Sequence, residues 1–275
     1  MFKSNAEPGP IELDAYLRSQ TNIRRLKASL PDDLVASLAR EVIMRLASRD
    51  RSLDAVPHDP IPGELEALCT ALISDDDTAA AEIISGVRAD GTPPDVVYLK
   101  YLAAAARMLG EWWIEDRADF VQVTIGTGRM FAIMRGMRHL FVSNVPAPGK
   151  TAIFASVPGE DHTLGVRMAA DIFRKEGWEI ALKIGLDHDE LVTEVERSPG
   201  RIVGLSIGGR HSVDALSRLV VALHICSPGT PLLVSGQNID AIRPLLSLMG
   251  LDGVAGDIDE AKEQMAALSD RQSEG

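Results

Sequence analysis

The chain has 275 residues, 45% of them hydrophobic and 25% charged, with a net charge of −12. A chain of this length and mix buries a real core, which excludes wholesale disorder; with only Cys69 and Cys226, no disulfide scaffold or zinc site is expected. The charge is spread unevenly, 0 over residues 1–60, −4 over 61–150 and −8 over 151–275. Its one basic cluster, Arg24, Arg25 and Lys27, is too small to displace counterions from a phosphate backbone, so no direct nucleic-acid contact is expected. No stretch nears the roughly 18 apolar residues that cross a bilayer. The start, MFKSNAEPGP, has no apolar secretory region, which makes the cytoplasm the expected location.

Residues 1–60 read as a helical extension. A helix over 32–48 aligns Leu34, Leu38, Val42 and Leu46 on one stripe, and RSLDAVPHDPIPG (51–63) follows with three prolines. Residues 61–145 read as a four-helix bundle. Short helices are expected at 63–74 and 76–88, separated by Asp75, Asp76 and Asp77, whose charges favour a helix N-terminus. A long helix opens at Pro94, with Val96, Leu99, Leu102, Ala106, Leu109 and Trp113 at three- and four-residue steps. A second carries Phe120, Val123, Thr127, Met130, Met134, Met137 and Phe141. VPAPGK (145–150) reads as a linker.

From 150 to 275 short apolar runs alternate with helix-length segments. Strands are expected at 151–157, 179–184, 201–207, 230–235 and 252–258, with helices at 162–176, 187–198, 211–226, 238–249 and 258–268. That alternation specifies an α/β domain, a flavodoxin- or Rossmann-like five-stranded parallel sheet whose ligands sit outside the carboxyl ends of the strands.

The first strand runs into Gly159-Glu160-Asp161-His162-Thr163-Leu164-Gly165. His162 is thus placed at a ligand-binding edge, with the Glu160 carboxylate two residues earlier to hold its second ring nitrogen. The third strand ends Ser206-Ile207-Gly208-Gly209 and the fourth Ser235-Gly236, small residues that leave a slot for a thin ligand. Ser212 is either a further partner for Glu160 or the N-cap of the helix that follows. Trp112 and Trp113 point about 100° apart on a helix, so at least one serves the bundle core. The Met130, Met134 and Met137 stripe is core by its spacing. His139, His188, His211 and His224 are assigned to surface or helix-face positions, and Cys69 and Cys226 to small buried hydrophobes.

This pattern resembles the cobalamin-binding domain family of methionine synthase, corrinoid methyl carriers and cobalamin photoreceptors. Its motif is Asp-x-His-x-x-Gly, Ser-x-Leu and Gly-Gly; here it reads Glu160-x-His162-x-x-Gly165, 40 residues, Ser206-Ile207-Gly208, 26 residues, Ser235-Gly236. The departures are Glu at 160, Gly at 208 and Ser at 235. The resemblance implies a helical bundle followed by a Rossmann-like domain. It implies cobalamin, in adenosyl, methyl or hydroxo form, with His162 as lower axial ligand to the metal and Glu160 as partner to its other nitrogen. The displaced nucleotide tail would enter the slot of Ser206, Gly208, Ser235 and Gly236, and Trp112 or Trp113 would cap the upper face.

The stretch Trp112 to Phe120, WWIEDRADF, looks like the bundle sequence of the AerR/PpaA group of antirepressors from photosynthetic proteobacteria. That likeness implies a light- or redox-responsive sensor that is not an enzyme and regulates transcription through a protein partner; homo-oligomers stay open. Light-responsive cobalamin repressors carry Trp, nine residues, then Glu-His. From Trp112 the same count gives Gln122-Val123, and from Trp113 Val123-Thr124, so the upper-face histidine is absent. Haem or a linear bilin is therefore an alternative cofactor, the bilin needing Cys69 or Cys226 for attachment. A corrinoid methyl carrier of a methyltransferase system is the alternative function.

Overall fold

The computed structural model describes residues 59–142, 149–236 and 239–273. The helix expected at 32–48, the Arg24, Arg25, Lys27 cluster and most of the VPAPGK linker lie outside the described residues. The chain divides between Phe141 and Val142 into two compact units.

The first unit is helical. Helix α1 (Pro62–Ile73) starts with its proline where a missing N–H costs nothing, and the Glu64 carboxylate accepts the Ile61 N–H at 3.2 Å. Asp76 accepts both the backbone N–H and the hydroxyl of Thr78 ahead of α2 (Ala79–Ala89). A continuous run then begins as α3 (Pro94–Val96), widens into a π-helical stretch (Val97–Leu102) and continues as α4 (Ala103–Ile114). Helix α5 (Phe120–Met137) opens on a reciprocal cap: Asp119 accepts the Gln122 N–H and the Gln122 side chain accepts the Asp119 N–H, each at 2.8 Å.

The π-helical stretch changes which face is buried. Val97, Tyr98, Tyr101, Leu102, Ala105, Ala106, Leu109 and Trp112 are buried, whereas Val96, Leu99 and Trp113, expected on the core stripe, are only half-buried. The wider turn advances the buried face in steps of four. Val123, Met130, Met134 and Met137 of the second long helix, and Phe141 in the 3-10 turn (Arg138–Phe141) that follows it, are buried as expected, while Phe120 and Thr127 are half-buried. Tyr98 stacks on Phe141 at 4.4 Å and donates its hydroxyl to the Met134 carbonyl at 3.1 Å. The buried Arg129 guanidinium donates to the carbonyls of Leu72 (2.8 Å) and Ser74 (2.6 Å) and to Asp77 (2.7 Å), closing the C-terminus of α1.

The second unit is α/β. Strands β1 (Thr151–Ser156), β2 (Glu179–Lys183), β3 (Ile202–Ile207), β4 (Leu232–Gly236) and β5 (Gly253–Ala255) form one parallel sheet in the order β2-β1-β3-β4-β5. Helices α6 (Leu164–Lys175) and α10 (Ile258–Ser273) pack on one face around Phe154, Phe173 and Trp178. Helices α7 (His188–Glu196), α8 (Val213–Cys226) and α9 (Ile239–Leu246) cover the other, over Ile153, Val203, Leu205 and Val234. With both faces covered, the strands read as near-continuous apolar runs, which is why they stand out in the sequence. From β1 the chain goes first to one side and then to the other, so the crevice between the carboxyl ends of β1 and β3 is the switch point of this topology. Among the described residues no helix is long and apolar enough to cross a membrane.

Candidate functional site

The loops after β1 and β3 meet at that crevice. Beyond β1, the Val157 carbonyl accepts the Glu160 N–H at 2.9 Å in a tight turn, with Gly159 at φ +79°. The turn folds Glu160 back over the end of β3. Beyond β3, Gly209 takes φ +141°, a conformation open to glycine alone, and a 3-10 turn (Arg210–Ser212) leads into α8.

Glu160 is 4% exposed and its carboxylate is fully engaged. One oxygen accepts the His162 backbone N–H at 3.0 Å and bonds to the ring nitrogen Nδ1 of His162; the other accepts the Gly208 N–H at 2.5 Å and the Ser212 hydroxyl at 2.7 Å. Burial alone pushes this carboxyl up, but hydrogen bonds from His162 and Ser212 and the nearby imidazole outweigh it and hold the group down at about 2. An ionised carboxylate only accepts. His162 therefore donates from Nδ1, and in the neutral ring this leaves Nε2 as a lone pair. That Nε2 is buried and has no hydrogen-bond partner among the described residues.

The reading of Ser212 as an ordinary N-cap is displaced: its side chain makes no cap bond to α8 and goes to Glu160 instead. His211, assigned from sequence to a surface or helix-face position, belongs to this cluster. Its Nε2 lies 2.8 Å from the Ser212 hydroxyl and 3.3 Å from Glu160 Oε2, and its ring centroid is 6.2 Å from that of His162. Glu160, His162 and His211 thus form one compact cluster of a carboxylate and two imidazoles.

Two glycines of the expected slot are required by the protein's own packing. A Cβ at Gly208 would sit 2.7 Å from both Glu160 oxygens and 2.8 Å from His162 Nδ1; at Gly236 it would run into the Ile207 carbonyl of β3. Gly165, in the first turn of α6, faces open space. Ser206 and Ser235 are in register and half-buried, and Ser156 completes the row on β1. Ser156 was legible as the last residue of TAIFAS, at the same strand position as Ser206.

Trp112 is buried in the helical unit with the Arg117 guanidinium 4.5 Å over its ring, and Trp113 is half-buried. The Cys69 thiol is pushed up to about 12, first by burial and then by Glu66, which makes it a poor attachment point. Cys226, expected to be buried, is exposed at the end of α8. Because α8 starts beside Ser212, Cys226 lies at the sheet edge opposite His162.

No family model matches the chain. A curated protein of Rhodobacter capsulatus, an uncharacterized 20.5 kDa protein in the bchF-crtJ intergenic region, is 26% identical over 174 residues, 62% of this chain and 91% of its own. Among solved structures, the monomethylamine corrinoid protein of Methanosarcina barkeri superposes with a TM-score of 0.62 at 17% identity, over 74% of this chain and 98% of its own. A cobalamin-binding protein of Desulfitobacterium hafniense is less similar, with a TM-score of 0.40 at 17% identity, over 74% of this chain and 98% of its own. The chain thus has the fold of a corrinoid protein.

Proposed function

We propose that the protein binds cobalamin with His162 as lower axial ligand and acts as a light- or redox-responsive sensor through a protein partner. The observation that carries the cofactor reading is the buried, unpartnered Nε2 of His162, presented as a lone pair because Glu160 holds the opposite ring nitrogen. An unsatisfied buried nitrogen is costly unless a ligand meets it. The corrinoid-protein fold and the motif spacing support the same reading.

Cobalamin, when bound, supplies a metal centre whose upper ligand can be lost or exchanged. The chain's own part is to hold and orient. Glu160, fixed by Gly208 and Ser212, keeps the His162 ring in one tautomer, and the Ser206 and Ser235 hydroxyls would offer hydrogen bonds to the nucleotide tail. Open space at Gly165 lets the cofactor approach the first turn of α6. Support for a sensor comes from the 60 residues ahead of the bundle, the likeness of Trp112 to Phe120 to the antirepressor group, and the gene position of the Rhodobacter relative.

The test is reconstitution with adenosyl- and hydroxocobalamin, with absorption spectra in darkness and after illumination. Wild-type protein is expected to bind with histidine coordination and to change spectrum on illumination, and His162→Ala to lose the coordination while keeping its fold. A spectrum unaffected by His162→Ala refutes the ligand assignment. Methyl transfer to an acceptor enzyme without any light- or redox-dependent form refutes the sensor in favour of the carrier.

A further inference from the structure

His162, Glu160 and Ser212 account for three members of the cluster; His211 is a fourth, and its proton can be placed by counting. The Ser212 hydroxyl has one hydrogen, and the ionised Glu160 oxygen 2.7 Å away claims it. The contact between Ser212 and His211 Nε2, 2.8 Å long, therefore needs its proton from the histidine. The same Nε2–H lies 3.3 Å from Glu160 Oε2. A directed chain results: His211 donates to Ser212, Ser212 to one oxygen of Glu160, and His162 to the other.

We propose that His211 is a positioning residue for His162, acting through Ser212 and Glu160 to lock the His162 tautomer with its lone pair on Nε2. The placement of His211 makes this specific. It is delivered by the 3-10 turn that Gly209 permits, on the loop of β3, so the carboxylate that orients one imidazole is itself gripped by a second from the neighbouring strand. Without His211, the Ser212 oxygen loses a donor and its hydroxyl can turn away from Glu160. The carboxylate then gains freedom to swing off Nδ1. The tautomer effect stands on the apoprotein; its consequence for metal coordination rests on the cobalamin reading above.

Two readouts on the full chain separate these. Nitrogen-15 NMR of the cofactor-free protein, at a pH where His162 is neutral, reports its tautomer directly. The wild type is expected to show the Nδ1–H form alone, His211→Ala a mixture of both forms, and His211→Gln, whose amide can still donate to Ser212, a return towards the wild-type pattern. In the second, protein labelled with nitrogen-15 histidine is loaded with hydroxocobalamin and reduced to the cobalt(II) state. Its electron paramagnetic resonance should show two-line splitting from the axial nitrogen, and His211→Ala should weaken hydroxocobalamin binding about three- to tenfold, as loss of one hydrogen bond does. An unchanged tautomer in His211→Ala, or equal mixing in the Ala and Gln variants, overturns the positioning role. A wild type with the expected tautomer but no histidine signal on cobalt overturns the cobalamin reading and leaves the role of His211 standing.

Discussion

A glutamate reaches one methylene further than an aspartate, and at position 160 that extra length ends where a side chain at 208 would begin. Two of the three departures from the family motif, Glu160 and Gly208, are thus one structural change, since a Cβ at 208 would lie 2.7 Å from both carboxylate oxygens. Gly208→Ala is expected to weaken cobalamin binding about fivefold or more, by overpacking of about 1–3 kcal/mol. Glu160→Asp should weaken binding when Gly208 is kept yet improve it in the Gly208→Ala background, a reversal of sign that a double-mutant cycle detects. The same carboxyl governs behaviour in acid. Held at about 2 in the folded protein, it stays ionised where the unfolded chain has already taken up a proton near about 4.3. Its stabilisation is therefore complete above that value and is lost as pH falls towards 2. Urea midpoints should drop across that window in the wild type, with a shallower slope in Glu160→Gln. The pairing of Glu160 with His162 could be read from the motif spacing, and Ser212 only as one of two alternatives, partner to Glu160 or N-cap. His211 could not: nothing in the sequence gives the conformation of Gly209, which turns it inward.

Helices and strands were legible wherever burial imposes a simple period. The five apolar runs of 150–275 became five strands within a few residues of their expected limits, because a sheet covered on both faces leaves little room for polar residues. The run from Pro94 to Ile114 shows the limit: a fixed helical period names Val96, Leu99 and Trp113, and the π-helical turn buries Val97, Tyr98 and Trp112 instead. No residue type marks that turn, whose Tyr98 packs on Phe141 and bonds to the Met134 carbonyl. Arg129 is equally hidden in sequence, a cation amid the second long helix. Arg129→Met should destabilise the helical unit by about 2–4 kcal/mol, because it removes the donors to the carbonyls of Leu72 and Ser74 and the ion pair to Asp77. Urea denaturation followed by far-ultraviolet circular dichroism reads that loss.

At the scale of the whole chain, the two compact units meet at Phe141 and Val142, close to where the periodicity changes from helical stripes to strand runs. The order of the strands was legible only as a class of fold. That order places β1 and β3 side by side although β2 and α7 intervene in the chain. The groups that grip Glu160, the Gly208 N–H and the Ser212 hydroxyl, are 48 and 52 residues further on. During synthesis His162 leaves the ribosome long before they do, and the carboxylate beside it has no donors from β3 until that strand has been made and has paired. The pocket is therefore a late product of folding, and whatever it captures adds to the stability of the finished state alone, by about 2.7 kcal/mol for a cofactor at a hundred times its dissociation constant. In a cell that degrades unfolded chains, the amount of this protein would then follow the supply of its cofactor.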